Sequence, residues 1–251
     1  RALYPDVRFV LADICDYEKV REICKGQDIL IHAAALKSVS SGEYYPDEYA
    51  RVNIQGALSV ARAWGTMLVN LPATQSIADH KALLISTDKA VAPINAYGKC
   101  KGVAESIFRS YGRSVIRYGN VVSSNGSFLN VWEARIESGL PIMARTPTPT
   151  RFALSLSQAV DLIEDVLSQP PGIYVPHSLP AFSLDEAVKV FRERYDCRVE
   201  YEKLLKGEKQ HEVLLAEGEN AEQVSPLLAK VVHGEGNMYR NRFGSGTTKY
   251  R

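Results

Sequence analysis

The sequence predicts an α/β fold, with a doubly wound, largely parallel sheet and a smaller α/β lobe towards the C-terminus. Strand-like apolar segments alternate with segments of helical periodicity through residues 7–121, an order typical of parallel sheets. Residues 28–35 form an apolar run without polar alternation, which is typical of a strand buried on both faces. Polar residues follow several predicted strands, and ligands of such sheets bind at the carboxyl ends of strands.

The elements follow from periodicity and from the residues that end each segment. The predicted strands span residues 7–13, 28–35, 82–86, 114–121, 173–175 and 199–202. The predicted helices span residues 17–25, 46–64, about 97 onward, 128–138, 157–167 and 184–195. Gly26 ends the first helix, and Ser183 with Glu186 forms a capping box for the last. We expect a loop at 65–80, a loop or helix start at 207–212, and weak periodicity after about 218.

Composition argues against several classes of function. The 251 residues are 45% hydrophobic and 24% charged with a net charge of +1, which gives no argument for a nucleic-acid or membrane-surface partner. No apolar run approaches the roughly 20 residues needed to span a bilayer. The cysteines are scattered without metal-ligand spacing, so we expect reduced thiols, no metal and a cytoplasmic protein; they are Cys15, Cys24, Cys100 and Cys197.

The chemistry is concentrated around the strand at 82–86. This strand runs into Thr87, Asp88 and Lys89, and Tyr97 and Lys101 follow at i and i+4 on one helix face. A cation within about 4–6 Å favours a phenolate and lowers its pKa by roughly 1–3 units from about 10. We therefore predict that Lys101 lowers the pKa of Tyr97 and makes it a base near neutral pH.

With these motifs the chain resembles the extended short-chain dehydrogenase/reductase superfamily. Within it, the chain is similar to the UDP-N-acetylglucosamine 4,6-dehydratases of flagellin-sugar and capsule-sugar pathways. The matching motifs occur in family order: HAAALK at 32–37, VNIQGA at 52–57, ISTDKA at 85–90, PINAYG at 93–98, RYGNV at 117–121, TRF at 150–152 and GEKQHE at 207–212. A Tyr-x-x-x-Lys motif alone is weak, whereas this collinear set over about residues 5–215 is specific.

The resemblance implies a fold division, a cofactor and an assembly. Residues 1–122 and 152–177 are expected to form a Rossmann-like NAD(P)-binding domain, and residues 123–151 and 178–251 a substrate-binding lobe. The implied cofactor is NADP, with NAD open, and the implied assembly is a homo-oligomer. The sequence contains no Gly-rich GxGxxG turn, and we expect that roughly the first fifty residues of the family pattern are cleaved or missing from the record.

The resemblance also implies residue roles. Tyr97 takes the proton of the sugar 4-hydroxyl, Lys101 supports it, Lys89 removes the C5 proton, Asp88 protonates the departing 6-hydroxyl, and Thr87 holds the C4 oxygen. The expected cofactor contacts are Asp13, Ile14, Ala33, Ala34, Ala35, Lys37, Tyr97 and Lys101. The expected contacts to a UDP-sugar are Lys37, Thr87, Asn120, Arg151, Lys206 and His211. Lys206 stands where the family has a basic residue in Arg-Pro-Gly-Glu-Lys, without the bidentate fork of arginine.

Several alternatives stay open. Asp13 contacts adenine or caps a helix, the three alanines either admit a ligand or only pack closely, and Lys37 is a ligand contact or a surface lysine. We expect His32 to be a core histidine and Asn53 to tie backbone together. The competing functions are a nucleotide-sugar 4-epimerase or reductase of the same superfamily, and a non-catalytic relative that binds a nucleotide sugar or a partner chain. The C5 stereochemistry is open.

Overall fold

The computed structural model describes residues 5–233. Their central sheet has six strands in the order β1-β2-β3-β7-β11-β10. The strands are β1 (Ile29–His32), β2 (Lys81–Ile85), β3 (Ser114–Ile116), β7 (Ile173–Pro176), β10 (Glu219–Gln223) and β11 (Leu228–His233). The first four pair in parallel, and β11 pairs antiparallel to β7 and to β10. The predicted α/β class with a largely parallel sheet is confirmed.

Helices cover the sheet. They are α1 (Tyr17–Cys24), α2 (Val39–Tyr44), α3 (Pro46–Ala50), α4 (Gly56–Val69), α5 (Ala96–Ser110), α6 (Phe128–Glu137), α7 (Leu156–Ser168) and α8 (Leu184–Tyr195). One core cluster packs α4 and α5 against the sheet around Trp64 and Phe108. Another packs α7 against it around Leu162 and Tyr174. No helix within residues 5–233 is long and apolar enough to cross a membrane.

Two smaller sheets lie in the second half of the described chain. One joins β4 (Asn120–Val121), β6 (Thr150–Leu154) and β8 (Ala181–Ser183), and the other joins β5 (Ile142–Thr146) and β9 (Val199–Lys203) in parallel. A separate core around Trp132 and Phe191 packs α6 and α8 against β5. The predicted capping box of Ser183 and Glu186 starts α8 as expected.

The predicted strand at 7–13 is wrong. These residues form no strand, and Phe9 and Leu11 are 53% and 100% exposed. A strand needs a hydrogen-bonded neighbour, and within residues 5–233 β1 pairs with β2 alone, as the edge of the sheet. For the same reason Ile29 and Ile31 of β1 are about half exposed, so the prediction of a strand buried on both faces is also wrong.

The predicted loop at 65–80 begins too early, because the helical segment continues to Val69. A π-helical turn (Arg51–Gln55) joins α3 to α4 without a break. Met67 and Leu68 are buried in the same core as Trp64, so packing extends the helix through Gly65 against its low intrinsic propensity.

The C-terminal assignment also needs correction. The sequence shows weak periodicity after about 218 and predicts that this segment belongs to the lobe at 178–251. In the structure, β10 and β11 instead form a hairpin in the central sheet. The buried apolar residues here are Ala221 in β10 and Leu228 and Ala229 in β11, which are too few to distinguish two strands from a polar tail. Residues 234–251 lie outside the described chain. The four cysteines are free thiols.

Candidate functional site

The candidate site lies at the carboxyl end of β2. The strand leads into Thr87 and a 3₁₀ turn (Asp88–Ala90). The Thr87 hydroxyl donates to Asp88 Oδ1 at 2.9 Å, and Lys89 Nζ donates to the same oxygen at 3.0 Å. The Asp88 side chain is fully buried, and its second oxygen, Oδ2, has no hydrogen-bond partner within residues 5–233. One carboxylate oxygen is thus fixed by two donors, while the other is available to a ligand or a proton.

Helix α5 begins against this turn. Asn95 caps the helix by accepting from the Gly98 amide at 2.7 Å. A methyl group added to Gly98 would lie 2.2 Å from the Lys89 carbonyl oxygen, so only glycine allows this approach. Tyr97 is therefore held beside the Thr87–Lys89 segment. One turn further along, Lys101 Nζ donates to the Ile85 carbonyl at 2.6 Å, which ties the helix to the end of β2.

The predicted activation of Tyr97 by Lys101 is not what the electrostatics favour. Burial raises the pKa of Tyr97 well above its usual range, and the nearby Asp88 charge raises it further, while interaction with the Thr87 hydroxyl offsets part of this rise. Burial also lowers the pKa of Lys101 to about 8, against the opposing charge of Glu105. The prediction considered a neighbouring cation but not the cost of burying a phenolate beside a carboxylate.

Two charged residues that the sequence reasoning missed complete the site. Glu212 is buried, with Oε1 3.8 Å from Lys89 Nζ and Oε2 3.2 Å from Lys209 Nζ. Lys209 Nζ also donates to the Val91 carbonyl, at 2.6 Å. Both residues lie in the GEKQHE motif, in which only His211 is a predicted site residue. A buried acid can be recognised in a sequence only if its partner is known, and Lys89 is more than 100 residues away.

The predicted substrate contacts differ in whether their polar atoms already bind other parts of the protein. His211 Nδ1 is 2.8 Å from the Thr150 hydroxyl, and Arg151, also buried, binds the Glu208 carboxylate at 2.9 Å. Asn120 Oδ1 is buried without a hydrogen-bond partner in the described part of the chain. Lys206 is exposed in the turn before Gly207. His211 and Arg151 therefore anchor the 205–212 loop to β6, and Asn120 keeps an unused acceptor.

The predicted cofactor contacts lie around the end of β1. Ala33 and Ala34 are exposed just past the strand, as is Lys37, and Ala35 is half-buried. Asp13 does not cap a helix, because Asp16 caps α1. A hydrogen bond from the Cys15 amide lowers the pKa of Asp13, and so does its pairing with Arg51 at 2.9 Å. Ile14 lies where a methyl group on Gly56 would clash with it.

Two structural expectations are confirmed. His32 is buried and stacks on Phe108 with ring centroids 5.6 Å apart. Burial, with a smaller contribution from the Lys101 charge, lowers the pKa of His32 to about 4. Asn53 is also buried and exchanges two 2.8 Å hydrogen bonds with the backbone of Leu36, so it fixes the segment that follows β1.

Comparison with known proteins identifies the family. Residues 2–231 match the profile of the family described as polysaccharide biosynthesis protein. The chain belongs to this family. The predicted membership of the extended short-chain dehydrogenase/reductase superfamily is confirmed.

Individual relatives carry more than one name. A UDP-glucose 4-epimerase of Rickettsia conorii is 34% identical over 230 residues, which are 86% of this chain and 64% of that protein. Pen from Bacillus thuringiensis superposes with a TM-score of 0.83 at 26% identity, covering 93% of this chain and 75% of that one. The dTDP-glucose 4,6-dehydratase DesIV of Streptomyces venezuelae, solved with NAD bound, gives 0.73 at 16% identity, covering 82% and 70%. The DesIV likeness shows the fold alone.

Proposed function

We propose that the protein is a UDP-N-acetylglucosamine 4,6-dehydratase that forms a UDP-4-keto-6-deoxy sugar. The observation that carries the proposal is the buried Asp88 carboxylate, which accepts from Thr87 and Lys89 while its Oδ2 is unpartnered within residues 5–233. An elimination needs a general acid and a general base on adjacent carbons of the sugar. Asp88 and Lys89 supply one of each beside the phenol of Tyr97.

A nicotinamide dinucleotide, NADP or NAD, is the cofactor that the resemblance implies. The residues present fit its nicotinamide end. Ala33 and Ala34 leave the end of β1 open and without side-chain bulk. The Lys101 ammonium has three donors, of which one binds the Ile85 carbonyl and the others suit a ribose hydroxyl. When bound, the cofactor would accept hydride from the sugar C4 and return it to C6.

The chain's own residues would move the protons. Tyr97 takes the proton of the 4-hydroxyl, and the Thr87 hydroxyl turns from Asp88 Oδ1 to donate to the C4 oxygen. Lys89 removes the C5 proton while Asp88 protonates the 6-hydroxyl, which leaves as water. Lys89 then returns a proton to C5, on the same face or the opposite one. The proton on Tyr97 returns to Asp88, so the cycle loses one water and no other atom.

The general acid of this cycle is Asp88. Its Oδ2 atom is buried and has no hydrogen-bond partner in the described chain, so this oxygen is left to face the sugar 6-hydroxyl.

A 4-epimerase is the second candidate, because the Rickettsia relatives carry that name. Thr87, Tyr97 and Lys101 would suffice for it. Epimerisation returns hydride to C4 and breaks no bond at C5 or C6, so it gives Asp88 and Lys89 no task. The pair of charged residues favours the dehydratase.

The products decide between the two. The purified protein is incubated with UDP-N-acetylglucosamine and, separately, UDP-glucose, each with NADP or NAD, in heavy water, and the products are followed by NMR. We expect a 4-keto-6-deoxy sugar with deuterium at C5. A 4-epimer with no keto sugar would favour the epimerase, and unchanged sugars with both cofactors would contradict both candidates.

A further inference from the structure

We infer that Glu212 is a positioning residue for Lys89: its carboxylate, backed by Lys209, holds the Lys89 ammonium and sets the pH at which Lys89 becomes a base. The inference deepens the proposed dehydratase function and rests on it for the catalytic role of Lys89. The roles proposed above for Thr87–Lys89, Tyr97 and Lys101 do not include Glu212 or Lys209.

The geometry places Glu212 between two lysines. Its carboxylate is buried, with one oxygen 3.8 Å from Lys89 Nζ and the other 3.2 Å from Lys209 Nζ. Burying a carboxylate is costly unless a cation and hydrogen-bond donors compensate. Lys209 is itself fixed, because its ammonium donates to the Val91 carbonyl just after the turn that carries Lys89.

The loop around Glu212 is anchored on two sides. Asn95, the cap of α5, donates from Nδ2 to the Gly207 carbonyl at 2.7 Å. On the other side, the Thr150 amide donates to the Gln210 carbonyl at 2.9 Å, and Thr150 forms a β-bridge with His211. The cap that starts the Tyr97 helix therefore also holds the loop that carries Glu212. Such double anchoring keeps the carboxylate at a fixed distance from the base.

The charges around Lys89 are balanced. Asp88 lies at 3.0 Å and Glu212 at 3.8 Å from its ammonium, Lys209 lies behind Glu212, and Tyr97 faces Asp88. When all four side chains are ionised, the two carboxylates and two ammonium groups carry no net charge. A carboxylate beside an ammonium favours the charged form, and a second cation disfavours it. Glu212 and Lys209 should therefore have opposite effects on when Lys89 loses its proton.

This arrangement suits the proton that Lys89 takes from C5. After the abstraction Lys89 is an ammonium, and the Glu212 carboxylate stabilises it until the proton returns to C5. Glu212 thus keeps the proton near the sugar until C5 takes it back.

The test compares Glu212→Gln with Lys209→Met by two measurements. The first is the pH profile of keto-sugar formation, where we expect the acidic limb to move by about one pH unit, downward in Glu212→Gln and upward in Lys209→Met. The second is the rate at which an amine reagent labels Lys89, read by peptide mass spectrometry without substrate. At a pH below the limb, labelling should be about tenfold faster in Glu212→Gln and about tenfold slower in Lys209→Met.

Glu208→Gln is the matched control, because it removes the same charge from the same loop but from a carboxylate that pairs with Arg145 and Arg151. It should move neither the limb nor the labelling of Lys89. Labelling needs no catalysis, so it tests Glu212 even if the proposed function fails through absence of a keto sugar. Equal labelling profiles in wild type and both variants would overturn the inference and leave Glu212 as a loop anchor. Shifts in the same direction in both variants would also overturn it.

Discussion

The described chain holds two buried clusters of carboxylates and cations, and they are built differently. In the first, Arg117 donates from Nε and Nη2 to Glu105 and from Nη1 to Glu219, with its closest contacts at 2.7–2.8 Å. The Ser86 hydroxyl adds a 2.5 Å bond to Glu105. In the second, the site cluster, Asp88, Lys89, Lys209 and Glu212 meet through single contacts of 3.0–3.8 Å.

The difference separates a structural role from a chemical one. Arginine presents a planar fork and stays charged, whereas lysine is a compact cation whose proton can leave. Burial alone would lower the pKa of Arg117, but Glu105 and Glu219 outweigh it and hold this pKa above its usual range. The arginine cluster thus joins α5, the end of β3 and β10 through a guanidinium group that donates hydrogen bonds to both carboxylates. The site cluster keeps Asp88 Oδ2 free of hydrogen bonds within residues 5–233, as proton transfer requires.

The largest expected effect is on activity in the site cluster. Asp88→Asn keeps the shape of the side chain but removes the proposed acid, so dehydration should slow by about 10²- to 10⁴-fold. Because the Asp88 charge helps to raise the pKa of Tyr97, oxidation at C4 should survive better than elimination. The measurement is the rate of keto-sugar formation alongside the rate of cofactor reduction under single-turnover conditions.

Stability supplies the control for this variant. Asn at 88 can still accept from Thr87 and Lys89, so the urea midpoint should stay close to that of wild type. A dehydration rate within threefold of wild type would remove Asp88 from the mechanism and weaken the distinction between the clusters.

The arginine cluster should respond in the opposite way. Arg117→Met leaves Glu105 and Glu219 buried without their cation, which should lower the free energy of unfolding by about 3–5 kcal/mol. Urea denaturation followed by circular dichroism measures the loss. Arg51→Met is the matched control, because Arg51 also pairs with two carboxylates, Asp13 and Glu48, but all three side chains are about half exposed, so the expected loss is much smaller. Equal losses in the two variants would contradict the comparison.

The sequence predicted the elements around β2 better than it predicted the limits of the sheet. Periodicity found β2, α5 and the strand end that carries Thr87–Lys89, because local pattern and burial agree there. It failed at 7–13, where an apolar run has no neighbouring strand in the described chain, and at Gly65, where packing overrides propensity. Glu212 was beyond its reach, since its partner Lys89 is joined to it only by the tertiary fold. The raised pKa of Tyr97 was also beyond the reach of the sequence, because it depends on how deeply the phenol is buried.

A pH series tests the effect of burying a histidine in its neutral form, in contrast to the buried ion pairs of the two clusters. His32 has a folded pKa of about 4, below its unfolded value of about 6.5, because burial and the Lys101 charge oppose protonation. Between these two pKa values the unfolded chain therefore binds more protons than the folded chain. The free energy of unfolding falls by about 3 kcal/mol as the pH drops from about 6.5 to 4. His32→Leu should flatten this slope in urea midpoints measured from pH 4 to 7. An unchanged slope would mean that other groups cause the acid sensitivity.

The smallest effects come from two adjacent hydroxyls, one serving each cluster. Ser86 donates to Glu105 in the arginine cluster, and Thr87 donates to Asp88 in the site. Ser86→Ala removes a hydrogen bond to a charged group and should cost about 2 kcal/mol of stability with little change in rate. Thr87→Val keeps the volume and should slow dehydration about tenfold or more, with less effect on the urea midpoint.

The dehydration rate and the urea midpoint, measured for both variants, assign each hydroxyl to one cluster. If Ser86→Ala slowed dehydration as much as Thr87→Val, the two clusters would be coupled through the end of β2 and could not be assigned separate roles. Glu105 is the residue through which the clusters would be coupled. Its charge raises the pKa of Lys101 and so offsets part of the lowering that burial causes. Its two-pronged bond to Arg117 persists without Ser86, however, so the carboxylate stays in place and Lys101 keeps its surroundings. Under the proposed mechanism, Ser86 therefore serves stability and Thr87 serves chemistry, although both hydroxyls lie at the end of β2.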